Sequence, residues 1–260
     1  MCIRDRDING KITNQPIHRL LGTCKETVPV YSSTAFHETK EEYAEEALIF
    51  KNKGWTAHKI HPHGNPQFDI EISKAVREAV GGDMKLMLDS MWAYQYEDAI
   101  RVGRAIENLN FYWYEDPMRD GGVSLFAHKQ LKKMLKTPLL QGEHVHLVEA
   151  HVDMAIAGAT DFWRADPEYD GGITGVMKIA NAAEGFGMDL ELHIAGPAQR
   201  HCMASMRNSN FYEMGLVHPK LSNIANPPVY KCDYSDQLES IDSDGCVGLP
   251  QGPGLSLIHI

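Results

Sequence analysis

Three acidic residues each close a short apolar run: Asp89 in LMLDS, Glu115 in YWYEDP and Glu143 in LLQGE. A carboxylate at the end of a buried strand is costly unless a cation or hydrogen bonds offset its desolvation. Three of them on successive strands can converge on one point. An all-oxygen set with room for water and substrate suits Mg²⁺ and is a poor choice for zinc or copper. One such residue alone reads more readily as the cap of the following helix; it is the repetition that favours a shared site. A second group lies in AHKIHPHG, where Lys59 and His61 share one strand face and Ile60 takes the other. If that face is interior, the charge of Lys59 lowers the proton affinity of His61, and a neutral imidazole can then act as a base near neutral pH. The plainer reading is a surface lysine and a loop histidine, since Pro62 and Gly64 follow at once. His63 shares the parity but lies beyond Pro62, in the loop. Asp166 in WRAD and His193 in LELHIAG end adjacent runs. A carboxylate there can hold an imidazole in one tautomer and raise its basicity. Glu213, in FYEMG, ends the last run and can donate a proton or a hydrogen bond.

These residues need elements that repeat. Apolar runs occur at 28–31, 56–61, 85–89, 111–115, 138–143, 162–166, 189–193 and 211–213, and the later ones end 20–28 residues apart, about one βα unit. Helical patterns lie between them. Thr39 with Glu42 reads as a capping box ahead of Tyr43, Ala47 and Phe50 on one face, with Gly54 as the stop. Ile72, Ala75, Val76 and Ala79 form a second stripe, Ala99, Val102, Ala105 and Ile106 a third, and Val176, Ile179 and Ala183 a fourth. Strands alternating with helices predict parallel strands with crossover helices, and eight runs predict an α/β barrel of the TIM type. The rival is a doubly wound open sheet, which the lack of a GxGxxG or P-loop sequence disfavours. In such a barrel the active site lies at the C-terminal ends of the strands, where the residues above fall.

The 260 residues suffice for one such barrel, and 43% apolar residues suffice for its core. A formal net charge of −10 repels nucleic acid and anionic membrane, so neither is an expected partner. Five widely spaced cysteines without a CxxC argue against a disulfide framework and a structural zinc site, and a reducing cytoplasm is the expected setting. No apolar run has the length of a membrane span, and no signal peptide is visible.

The ordered set resembles the mandelate racemase subgroup of the enolase superfamily over residues 7–254. The resemblance implies that Asp89, Glu115 (in YEDP) and Glu143 (in GE) bind Mg²⁺. It implies that Lys59-Ile60-His61 stands for a Lys-x-Lys on the second strand, Asp166 and His193 for the dyad of the sixth and seventh strands, and Glu213 for the glutamate of the eighth. NFYEMGLVHP and DSDGCVGLPQGPGL also look like this subgroup's C-terminal region. Two departures stand out: His61 replaces the second lysine, and only the tail of an α+β cap domain is present, in DINGKITNQPIHRLLG. The expected fold is a (β/α)7β-like barrel with cap remnants. Its expected parts are a non-native scar at 1–6, the cap tail at 7–26, the barrel at 27–220, a segment returning toward the cap at 221–254 and a second scar at 255–260. The implied reaction is Mg²⁺-dependent removal of the proton α to a carboxylate. Its preferred form is the dehydration of a sugar acid to a 2-keto-3-deoxy acid by a homo-oligomeric carbon–oxygen lyase. The alternatives are racemisation or epimerisation of a 2-hydroxy acid, and a non-catalytic barrel that only binds metal.

Overall fold

The computed structural model describes residues 2–217 and 235–256. Eight parallel strands form the centre: β1 (Thr27–Thr34), β2 (Ala57–Ile60), β3 (Lys85–Asp89), β4 (Phe111–Glu115), β5 (Leu139–Gln141), β6 (Phe162–Ala165), β7 (Asp189–Leu192) and β8 (Tyr212–Val217). They pair in the order β7-β6-β5-β4-β3-β2-β1-β8, so the last strand returns to the first, with Tyr31 opposite Glu213. All eight apolar runs of the sequence are therefore strands of one nearly closed barrel, and the open-sheet rival falls. A ninth strand, β9 (Cys246–Gly248), pairs antiparallel with the start of β1; its three residues carry too little pattern to be read in advance.

The helices are α1 (Cys2–Thr13), α2 (Ile17–Leu21), α3 (Lys40–Asn52), α4 (Pro66–Val80), α5 (Tyr96–Glu107), α6 (Leu125–Met134), α7 (Leu147–Ala157), α8 (Gly172–Gly185) and α9 (Pro197–Met203). The capping box of α3 is complete: the Glu42 N–H donates to Thr39 Oγ1 at 3.3 Å, and the Thr39 N–H donates to Glu42 Oε2 at 2.9 Å. At the start of α4, Asn65 Oδ1 accepts two backbone N–H groups, and Pro66 sits where no N–H is needed. Residues 2–6, which show no element by sequence, lie within α1, whose Ile8 and Ile12 are exposed and leave no apolar stripe to read. The Leu255 N–H donates to Asp7 Oδ1 at 2.9 Å, tying the two ends together. Residues 218–234 and 257–260, which include much of the expected 221–254 segment and most of the second expected scar, lie outside the described residues. Among the described residues no helix is long and apolar enough to cross a membrane, and Cys24, Cys202 and Cys246 are free thiols.

Strand alternation divides the apolar side chains into two layers. One joins the strands to the surrounding helices, with Val28, Val30, Ile60, Leu86, Leu88, Tyr114 and Leu192. The other plugs the barrel: Tyr31, Ala57, Met87, Trp113, Leu140 and Phe211, with Phe162 packed against them. Two residues beyond a plug member, the same wall carries Lys59 after Ala57, Asp89 after Met87, Glu115 after Trp113, Arg164 after Phe162 and Glu213 after Phe211. The plug thus forms a dry floor under a layer of charge. Between β7 and β8, which form no ladder among the described residues, Glu191 closes the wall. Its carboxylate accepts the Asn210 N–H at 3.0 Å, the Asn210 amide at 2.7 Å and the Phe211 N–H at 3.0 Å.

Candidate active site

Lys59 stands at the centre of the charged layer. Its ammonium is 2.9 Å from Glu213, 3.1 Å from Glu115 and 3.2 Å from Asp89, and it is 1% exposed. Burial opposes its charge, but the carboxylates, Glu115 foremost, raise its proton affinity well above the ordinary lysine value. Arg164 lies beside it. Its Nε is 3.0 Å from Glu115 Oε1, Nη2 donates to Glu213 and Nη1 donates to the Tyr31 hydroxyl at 3.1 Å. The Trp113 indole adds a third partner to Glu115, donating at 3.1 Å. These two cations divide the fates of two carboxylates. Burial works against ionisation of both, yet Lys59 and Arg164 hold Glu213 well below the usual range, whereas Glu115 stays above it.

Asp89 is fixed from both sides. Oδ1 accepts the Met91 N–H at 2.9 Å, and Oδ2 faces Lys59 and His61. Despite burial, Lys59 and His61 hold its carboxyl below the ordinary value. His61 lies on the Lys59 face, as parity predicts, with Nε2 3.2 Å from Asp89 and Nδ1 2.7 Å from the Thr34 carbonyl. The expected lowering of its proton affinity is corrected. Burial and Lys59 do push it down, but Asp89 outweighs them and the net shift is upward.

Across the barrel mouth, His193 Nδ1 donates to Asp166 Oδ2 at 2.7 Å, so the carboxylate fixes the ring's tautomer. The Glu168 N–H donates to the other oxygen of Asp166 at 2.6 Å and holds it in turn. Burial lowers the proton affinity of His193, but the Asp166 bond and the charge of Glu213 raise it above the ordinary value. His193 Nε2 faces Glu143 Oε1 at 3.5 Å, longer than a hydrogen bond.

Glu143 enters the site through Gly142, whose φ is 127° and where a Cβ would meet the Arg164 carbonyl at 2.6 Å. It shares a cluster with Glu115 and Asp116, in which one ligand oxygen from each lies within 4.8 Å of the others. Asp116 was not singled out by sequence, because strict alternation turns it away from Glu115. Its φ of 41° brings it back. Both of its carboxylate oxygens are buried without a hydrogen-bond partner. Burial first, then the charges of Glu115, Asp89 and Glu143, push its carboxyl well above the ordinary range, and burial pushes Glu143 up to about 7. Crowded, under-paired carboxylates with only oxygen to offer fit a hard divalent cation. Arg164 was missed too, although parity could have found it: it precedes Asp166 by two positions in an otherwise apolar strand. At the rim, Trp92 stacks on His144 with centroids 4.0 Å apart, and Tyr169 stacks on His193 at 6.5 Å.

A parallel eight-stranded barrel with buried carboxylates at its strand ends defines a TIM-type barrel protein. The sequence matches the enolase C-terminal domain-like family over residues 42–258, and the chain belongs to that family. It is 30% identical to the arabinonate dehydratase of Saccharolobus solfataricus, over 96% of this chain and 66% of that protein. It is also 30% identical to the L-talarate/galactarate dehydratase of Salmonella typhimurium, over 76% of this chain and 50% of that protein. The crystal structure of D-glucarate dehydratase from Agrobacterium tumefaciens complexed with magnesium superposes with a TM-score of 0.86 at 30% identity, covering 97% of this chain and 68% of that one. Cycloisomerases and a racemase are also among the relatives. The chain thus spans between half and about two thirds of the length of the first two curated relatives.

Proposed function

We propose that this chain is the barrel part, residues 27–220, of a Mg²⁺-dependent acid-sugar dehydratase, with 7–26 and 221–254 belonging to the cap side. The observation that carries the reading is the opposition of two kinds of group across one mouth: the Asp166–His193 dyad on one wall, Lys59 and the carboxylates on the other. Asp89, Glu115 and Glu143 are assigned as the metal ligands, with Asp116 beside them. The magnesium in the related glucarate dehydratase structure supports the choice of metal. When bound, Mg²⁺ supplies positive charge where the enediolate's second negative charge develops. The chain's own groups do the rest. Lys59 adds a fixed positive charge at the substrate carboxylate. His193, held by Asp166, removes the α-proton through Nε2, and its conjugate acid protonates the departing β-hydroxyl. Glu213 is kept ionised by Lys59 and Arg164 and aligns both. The balance is one α-hydrogen and one β-hydroxyl lost as water, leaving an enol that becomes the 2-keto-3-deoxy acid.

The test is incubation of the chain with Mg²⁺ and a panel of sugar acids in D₂O, following the α-proton by NMR and the keto product by a carbonyl assay. Keto product that disappears in Asp166→Asn and His193→Asn supports the reading. Exchange without keto product points to racemisation, and no exchange from a Mg²⁺-binding chain counts against catalysis by this part alone.

A further inference from the structure

Glu143 is the least secured of the three carboxylates assigned to the metal. Asp89 is held by the Met91 N–H and Lys59, and Glu115 by Lys59, Arg164 and Trp113. Among the described residues Glu143 faces only two imidazoles, His193 at 3.5 Å and His144 at 4.0 Å. Strand pairing does not fix it from the β4 side either. The β4–β5 ladder ends with Glu115 opposite Leu140, the Asp116 N–H donates to the Leu140 carbonyl at 3.2 Å, and the chain then turns at Gly142.

Trp92 spans that gap. The N–H groups of Ser90, Trp92 and Tyr94 donate to the carbonyls of Glu115, Asp116 and Pro117 at 3.0, 2.7 and 3.0 Å, which binds this loop to the end of β4. Met91 and Trp92 have φ of 44° and 55°, left-handed values that are costly for residues with a side chain and that gather at functional sites. The turn lays the indole on the His144 ring, with centroids 4.0 Å and planes 22° apart. The buried indole N–H makes no hydrogen bond among the described residues, so the ring stack is the side chain's directional contact. Resting on the assignment of Glu143 as a metal ligand, we propose that Trp92 is a positioning residue whose indole ties His144 to the end of β4 and so holds the adjoining Glu143 carboxylate beside Glu115. The affinity for the metal then depends on a ring pair that supplies none of its ligand atoms.

Mg²⁺ titration of the whole chain by calorimetry tests this. Glu143→Gln sets the reference: weaker binding upholds the ligand assignment, and unchanged binding overturns that assignment together with this proposal. With the assignment upheld, Trp92→Ala and His144→Ala are each expected to lose about 10–100-fold in Mg²⁺ affinity, the usual cost of removing a group that orients a metal ligand. Trp92→Phe and His144→Phe keep a stacked pair and are expected to recover most of that loss; the second of these also removes both nitrogens of His144 and so separates stacking from ligation. Trp92→Ala combined with His144→Ala is expected to bind no more weakly than either alone, because both break one contact. Trp92→Ala that binds as tightly as the unaltered chain, phenylalanine variants as weak as the alanine ones, or losses that multiply in the double variant each overturn the proposal while leaving Glu143 a ligand. The His144 side chain is 48% exposed, so the loss in His144→Ala and its recovery in His144→Phe decide the matter should Trp92→Ala fail to fold.

Discussion

Glu191 closes the barrel at the cost of burying a carboxylate, and Glu191→Gln measures that cost. Its oxygens hold the backbone N–H groups of Asn210 and Phe211, which set where β8, and so Glu213, begins. Burial outweighs those bonds and raises its pKa from 4.5 to about 7. A raised carboxyl value means that the folded chain keeps its proton where the unfolded chain has lost it. The contribution to stability is therefore full below about 4.5 and is lost as pH rises through about 7. From pH 5 to pH 8 the group crosses about two units of this gap, or about 2–3 kcal/mol. Glutamine cannot ionise, but it offers one acceptor oxygen where the carboxylate offers two, so its absolute stability mixes two effects. The difference between pH 5 and pH 8 removes the constant one. Glu143 and Asp116 titrate in both proteins and cancel. Urea unfolding in EDTA is expected to shift in favour of Glu191→Gln by about 2–3 kcal/mol between the two pH values. That corresponds to about 5–10 °C in Tm for a domain of this size. Glu191→Ala, which orphans two N–H groups, is expected to be destabilised at both pH values by about 1–3 kcal/mol per group. A difference between wild type and Glu191→Gln that stays constant across this range refutes the buried-carboxylate account of the seam.

Three further outcomes follow from the same physics. His58, fully buried against Ser32 and Phe50, is held neutral by burial, with its pKa lowered to about 3, so the folded chain resists a proton that the unfolded chain takes up near 6.5. Stability is lost as pH falls below that value, and His58→Gln is expected to remove about 2 kcal/mol of the loss at pH 5, read by urea unfolding. Arg164→Met leaves Glu115 and Glu213 short of a buried cation and is expected to destabilise by about 3–5 kcal/mol, with Arg164→Lys recovering only part because a point-charge ammonium cannot reproduce the planar fork that spans Glu115, Glu213 and Tyr31; chemical denaturation checks both. Mg²⁺ at about a hundred times its Kd is expected to stabilise the chain by about 2.7 kcal/mol in a thermal-shift assay. EDTA reverses the effect and Glu143→Gln blunts it, and a chain whose Tm ignores Mg²⁺ has no such site.

The barrel was legible because parallel strands covered on both faces leave continuous apolar runs, and because the seven later runs each stopped at a carboxylate or a histidine. The positions on regular strand backbone were legible too: parity alone places Lys59 and His61 on the same wall. What escaped depends on local backbone that a period cannot encode. Asp116 reaches the site through a left-handed residue just past the strand, and Glu143 through Gly142. The direction of the His61 shift escaped for another reason. Lys59 was visible as its neighbour two positions away, whereas Asp89, which decides the sign, lies on the next strand and became a partner only once the register was known. β9 and α1 escaped because one is very short and the other exposes its isoleucines.

The arrangement of charge explains how an acidic chain can take an anionic substrate. Below the site, the plug of Tyr31, Met87, Trp113, Leu140 and Phe211 excludes water, so charges above it are screened only from the mouth. Asp89, Glu115, Asp116, Glu143, Asp166 and Glu213 are set against two permanent cations, Lys59 and Arg164. Those cations are not shared evenly: Glu213 and Asp89 are drawn to them and ionise readily, while Asp116 and Glu143 are left to hold protons. Of these two, Glu143 is the one that faces His193. A divalent cation bound there would meet the unpaired carboxylates and turn the local field positive on the side where a substrate carboxylate must lie. On this account the excess of acid is a requirement of the site: were Asp116 and Glu143 paired as fully as Glu213 is, the barrel would be more stable without metal and would hold it less tightly.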